Sequence, residues 1–158
     1  MSDEDFTLAV VRHMTGFDKL LGLEITHASS TRVCAKLEIA QCHKQIHGVV
    51  HGGVYTSIVE TLGSIGAALS ARAFGRTIVG LDNHTSFLKA TSNGSLEAVS
   101  EPITAGRRTQ IWNTRISDNT GKLVALGQLR LLCLEKDTLP NASTGSPESP
   151  FTLEDKNH

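Results

Sequence analysis

No apolar run in this chain is long or unbroken enough to span a membrane. Excess charge of either sign is absent too: 15 Lys and Arg stand against 16 Asp and Glu, for a net charge of -1. The broad basic field of a nucleic-acid groove is therefore excluded. Cysteine is sparse, with Cys34, Cys42 and Cys133 forming no CxxC pair. Cys34 and Cys133 sit among apolar residues and are expected as core thiols. The opening Ser-Asp-Glu-Asp has neither a basic region nor an apolar core, which argues against export and predicts a cytoplasmic protein. Without secretion, the Asn-x-Ser/Thr matches at Asn83, Asn93 and Asn141 carry no meaning.

What is present centres on the stretch from His51 to Leu69. Gly52 and Gly53 give it a flexible start, and Val54, Ile58, Val59, Leu62, Ile65 and Leu69 then recur at helical spacing. Gly63, Gly66, Ala67 and Ala68 keep the surface narrow. The pattern predicts a helix from about Gly53 to Arg72 packed closely on something flat, with Glu60 and Ser64 on a polar line. A carboxylate between Val59 and Leu62 either faces water or needs a reason to be buried.

The 158 residues suffice for one domain with a proper core. Phe6 to Met14 reads as a short helix ended by Gly16, and Phe17 to Leu23 as a compact apolar segment. Glu24 to Ala28 and Arg32 to Ile39 read as strands; in the second, Val33, Ala35, Leu37 and Ile39 alternate with Arg32, Cys34, Lys36 and Glu38. Gln41 to Val50 is loop. Beyond the helix, Thr77–Ala90, Ser95–Ile103, Thr109–Ser117 and Lys122–Leu134 are extended, and Asn93-Gly94 and Asp118 to Gly121 are turn signals that make two links hairpin-like. The expected class is α+β: an antiparallel sheet with the helix on one face, in a single domain over 1–136. Residues 137–158 lose all periodicity and are expected as a disordered tail.

His43, His47 and His51 are four apart, a metal-like spacing on a helix, but Gly48, Gly52 and Gly53 disfavour that helix and no metal is expected. A loop presenting His51 before a helix N-terminus is the better reading. Free N–H groups near Gly52 and Gly53 can hold negative charge on an oxygen, as acyl transfer requires. Glu60 is then the natural nucleophile or general base, in a dry pocket that raises its pKa. Yet Glu60 lies eight positions past Gly52, about 12 Å along a helix at ~1.5 Å per residue. Either the two are unrelated, or one site is built from two subunits.

The run Gln45-Ile-His-Gly-Val-Val-His51-Gly52-Gly53, Glu60-Thr-Leu-Gly-Ser64, Val79-Gly80-Leu81-Asp82 and Ala105-Gly106-Arg107-Arg108-Thr109-Gln110-Ile111-Trp112 resembles the hotdog-fold acyl-CoA thioesterases. The similarity spans about Leu20 to Leu134. It is greatest to the branch of the glutamate-using 4-hydroxybenzoyl-CoA and 1,4-dihydroxy-2-naphthoyl-CoA thioesterases. It implies a long central helix wrapped by a curved antiparallel sheet, and dimers joined sheet edge to sheet edge that pair into tetramers. By this resemblance Glu60 is the catalytic carboxylate and Gly52 the backbone donor to the thioester oxygen. Gln45 orients or polarises the carbonyl, His51 stands near the thiol side, and Ser64 positions the water or the carboxylate. Gly106, Arg107 and Arg108 meet the nucleotide end of coenzyme A, where Arg suits phosphate; otherwise they are a solvated rim. No cofactor or metal is implied, since coenzyme A is part of the substrate. An aromatic acyl group is expected, with Tyr55, Ile58, Val59 and Leu62 as apolar contacts around Glu60 and Thr56, Ser57, Thr61, Ser64 and His84 for ring hydroxyls. Alternatives are a fatty acyl-CoA thioesterase, a hotdog hydratase or dehydratase, or a non-catalytic acyl-CoA binder.

Overall fold

A computed structural model describes residues 4–135; the tail expected over 137–158 lies outside them. In chain order the elements are α1 (Thr7–His13), α2 (Gly16–Leu21), β1 (Glu24–Ala28), β2 (Val33–Glu38), α3 (Gly52–Ala71), β3 (Arg76–Phe87), β4 (Ser95–Ala105), β5 (Thr109–Asp118) and β6 (Leu123–Glu135).

The apolar spacing of α3 decides the architecture. Ile58, Val59, Leu62 and Ala67 are wholly buried against the sheet, and the small residues set how closely the helix lies. A Cβ on Gly63 would come within 2.8 Å of Leu129, and one on Gly66 within 2.3 Å of the Trp112 ring. That ring is pinned: its indole N–H donates to Gln110 Oε1 at 2.9 Å, and Gln110 Nε2 donates to the Ala67 carbonyl at 3.3 Å. The helix ends in a short 3-10 turn and Gly75, whose φ of +61° suits glycine.

All six strands form one antiparallel sheet in the order β1-β2-β4-β5-β6-β3. Alternation in β2 is as expected, with Val33, Ala35 and Leu37 buried. Cys34 shares the outward row with Lys36 and Glu38 and is only half-buried, whereas Cys133 is a core thiol. Gly16 does not merely stop α1; at φ +58° it opens α2, so the apolar segment that follows it is helical as far as Leu21.

One link differs in kind. Gly94 does turn, with φ +85°, but β3 pairs with β6 along its length and not with β4. The Asn93-Gly94 signal therefore ends a crossover from the sheet's edge to its middle, and of the two turn signals it is Asp118 to Gly121 that joins paired neighbours. A second irregularity lies inside β3: Gly80 faces Leu131 and Asp82 faces Arg130, so Leu81 is an extra, bulged residue. β1 and β3 are the two edges of the sheet.

Candidate active site

Helix α3 carries one polar group at its N-terminus and another near its middle, and the fold opens the two onto different pockets. At the N-terminus His51 is the cap residue; its Nδ1 accepts the Gly53 N–H at 2.9 Å. The Val54 N–H is taken by the His51 carbonyl, also at 2.9 Å. Gly52 is left as the first helical residue whose N–H has no partner among the described residues. An N–H that faces the positive end of a helix dipole is suited to an oxygen bearing negative charge. With Nδ1 accepting, the neutral His51 ring carries its proton on Nε2, where it can be donated.

Gly52 shares a pocket of about 330 Å³ with Gln45, Val50, Tyr55 and Phe87. Phe87 lies so close that a Cβ on Gly52 would meet its ring at 2.7 Å, and its ring centroid is 5.9 Å from that of Tyr55. Gln45 Oε1 accepts the His47 backbone N–H, which leaves its amide N–H groups to donate. The histidines are not a metal line. His43 is buried, with Nδ1 accepting the Ala40 N–H and Nε2 against the Leu21 carbonyl at 2.9 Å, a structural role.

Glu60, two turns further on, borders a second pocket of about 410 Å³ lined by Phe17, Asp18, Ser57, Thr61, Ser64, Ile65, Ala68 and Ile78. Its carboxylate has no cationic partner among the described residues. It accepts instead from Asn83 Nδ2 at 3.0 Å. Gly80 lies beneath it, where a Cβ would come within 2.9 Å of Glu60 Oε1. Ser64, one turn after Glu60, faces the same pocket with no hydrogen bond among the described residues. Asp18, from α2, accepts from the Thr61 hydroxyl at 2.6 Å.

Two expectations are corrected here. Glu60 is exposed in the single chain and not enclosed in a dry pocket. Tyr55, Ile58, Val59 and Leu62 are core residues at 3% exposure or less, because they lie on the sheet-facing side of α3. The apolar lining near Glu60 comes from Phe17, Ile65, Ala68 and Ile78. His84 is exposed and lines neither pocket. Sequence reasoning missed Phe17, Asp18 and Asn83, whose distances along the chain give no local signal.

Gly106, Arg107 and Arg108 form the β4–β5 turn, bordering a third, open pocket of about 600 Å³ with Arg76 and Thr109. Arg107 and Arg108 are exposed and make no ion pair among the described residues, while Arg76 pairs with Glu135 at 3.0 Å.

The sequence signature of the thioesterase superfamily matches residues 47–125, a span that holds α3, Gly52, Glu60 and the Gly-Arg-Arg turn. This chain belongs to the thioesterase superfamily. The thioesterase is 39% identical over 121 residues to MT1895 of Mycobacterium tuberculosis, covering 75% of this chain and 86% of that protein. The solved structure of the M. tuberculosis protein superposes with a TM-score of 0.74 over 75% of this chain and 96% of that one. A 1,4-dihydroxy-2-naphthoyl-CoA hydrolase of Listeria monocytogenes is 30% identical over 77% of this chain and 98% of its own length. A solved thioesterase of Haemophilus influenzae, 29% identical, gives a TM-score of 0.72 over 81% of this chain and 88% of that one. The long helix on a six-stranded antiparallel sheet is thus the hotdog fold of this thioesterase's relatives, and hydrolysis of thioesters is its reaction class.

Proposed function

We propose that this thioesterase hydrolyses an aromatic acyl-CoA, of the hydroxybenzoyl or dihydroxynaphthoyl kind, in a site shared by two copies of the chain. The observation that carries the reading is the Glu60 carboxylate, hydrogen-bonded to Asn83, with no cationic partner among the described residues, at the rim of a largely apolar pocket. In the proposed reaction the thioester carbonyl oxygen accepts from Gly52 N–H and the Gln45 amide. Glu60 either attacks the carbonyl carbon, expelling the coenzyme A thiolate to leave an acyl anhydride that water opens, or takes a proton from a water that attacks directly. His51 Nε2–H and Ser64 support the thiol side and the water. Only thioester and water are consumed, so no cofactor or metal enters.

Gly52 and Glu60 open onto different pockets of one chain, so a second copy is needed to bring them to one carbonyl. Strand β3 offers the contact: a 12-residue unpaired edge with Val79, Leu81 and Phe87 exposed, the kind of edge that pairs with another chain. A dimer built this way, itself paired into a tetramer, is the proposed assembly. Arg107, Arg108 and Gly106 would meet coenzyme A phosphates. The aromatic acyl group draws support from the Listeria relative named for 1,4-dihydroxy-2-naphthoyl-CoA and from the flat, exposed Phe17 ring beside Glu60.

Two experiments test this. Free-thiol release over benzoyl, 4-hydroxybenzoyl, phenylacetyl, 1,4-dihydroxy-2-naphthoyl and C4 to C16 acyl-CoA should give the highest kcat/KM for hydroxylated aromatics, by about tenfold; a steady rise with aliphatic chain length overturns the acyl assignment. Glu60→Ala and Gly52→Ala should each be inactive, and subunit exchange between them should restore up to about a quarter of parental turnover, because half the dimers then hold one intact site. An active monomer at high dilution overturns the shared site.

A further inference from the structure

Asn83 is tied on three sides. Its Nδ2 donates to Glu60 Oε2 at 3.0 Å and to the Thr56 carbonyl at 3.1 Å, while its Oδ1 accepts from the Thr85 hydroxyl at 2.7 Å. The orientation of the amide follows from these partners: a carboxylate and a carbonyl only accept, so the NH2 must face them. Thr85 then closes the other end and opposes a flip.

The backbone explains how a strand residue reaches a helix carboxylate. Gly80 and Asn83 are three apart, and in an uninterrupted strand they would face opposite sides of the sheet. Both nonetheless meet the Glu60 carboxylate, Gly80 through the space where a Cβ would stand 2.9 Å away and Asn83 through its amide. The bulge at Leu81 supplies the extra residue that turns both to the helix side. A bulge, a glycine and an asparagine held by Thr85 thus converge on one carboxylate.

We propose that Asn83, oriented by Thr85 and brought into phase by the Leu81 bulge, is the positioning residue that sets the Glu60 carboxylate for reaction. The inference rests on the reading of Glu60 as the reacting group. Asn83 touches Glu60 and not the substrate in this assignment. Its loss acts on turnover and not on binding.

The test is thiol release by the full-length Asn83→Leu and Thr85→Val proteins, with Glu60→Ala beside them. Asn83→Leu should lower kcat by about tenfold or more while KM stays within about twofold. That split between kcat and KM is what a loss of general stability would not produce, since Asn83 holds the carboxylate and not the substrate. Thr85→Val should show a smaller loss in the same direction, and it decides the matter if Asn83→Leu does not fold. In the Glu60→Ala background, Asn83→Leu should cause no further loss. Parental kcat in both variants, with Glu60→Ala inactive, overturns this inference alone. Near-parental turnover by Glu60→Ala overturns the proposed function, and this inference with it.

Discussion

Replacing Gly80 by alanine should weaken the enzyme and leave the fold as stable as before, or more so. Gly80 is not among the glycines with positive φ, so alanine fits its backbone. Among the described residues, chain neighbours apart, the atoms within 4 Å of the added Cβ are Glu60 Oε1, at 2.9 Å, and Glu60 Cδ, at 3.9 Å. The obstacle is the free end of a side chain, which can move aside. Fewer unfolded conformations then stabilise the protein by about 0.4–1 kcal/mol. The carboxylate, however, must retreat from 2.9 Å to the 3.4 Å at which ordinary contact begins, a shift of about half an ångström. A misplacement of ~1 Å at a reacting group can lower the rate about a hundredfold, so half that distance predicts about tenfold. Urea unfolding at fixed protein concentration should show an equal or higher midpoint with an unchanged slope. Thiol release should show kcat down with KM little changed. Parental turnover in Gly80→Ala would mean that the reaction does not use Glu60 where the strand holds it. A joint fall in midpoint and turnover would mean general disruption and refute the reasoning equally.

Gly66→Ala should do the opposite: its Cβ would stand 2.3 Å from a Trp112 ring that is wholly buried and pinned by Gln110. Overpacking of about 1–3 kcal/mol should outweigh a helix-propensity gain of at most ~1 kcal/mol, lowering the urea midpoint; a rise would show that the helix simply lifts away. Arg107→Ala or Arg108→Ala should raise KM for acyl-CoA, make it less salt-sensitive and spare kcat, and an equal KM for a pantetheine thioester in the parent removes the motive. The Asp118 carboxyl sits well below its ordinary range because it accepts from the Thr120 hydroxyl, the Thr120 and Lys122 backbone N–H groups and Lys89. A depressed folded value stabilises above the unfolded value and is lost as pH falls below about 4. Asp118→Ala should therefore lose less stability than the parent on acidification, as thermal unfolding from neutral pH down to pH 2 would read.

Where local pattern carries the answer, the sequence was legible. Helix α3 begins one residue from its expected start because apolar spacing and small residues continue without a break, and β1 has the expected bounds because Gly22 and Ser29-Ser30 flank it. Counting eight residues from Gly52 to Glu60 was enough to separate the two ends of the site. Pairing was not legible in the same way. Asn93-Gly94 makes a real turn, but whether a turn joins neighbours depends on where β3 finds an edge, and β6 offered it. The Leu81 bulge leaves no mark in a period-two pattern, so the reach of Asn83 to Glu60, 23 residues back along the chain, could not be read. The same holds for Phe17 and Asp18, brought to Glu60 by a six-residue helix that follows an apparent stop at Gly16.

The lone tryptophan gives this chain a built-in optical gauge. Trp112 emission comes from the seam between helix and sheet, against Gly66, with no solvent contact, and Trp112 lines none of the three pockets described above. A ligand settling beside Glu60 without disturbing the seam leaves the wavelength of that emission unchanged, because the surroundings of the indole stay the same. A shift in emission wavelength on adding acyl-CoA would report that α3 itself has moved on the sheet, carrying Gly52 and Glu60 together.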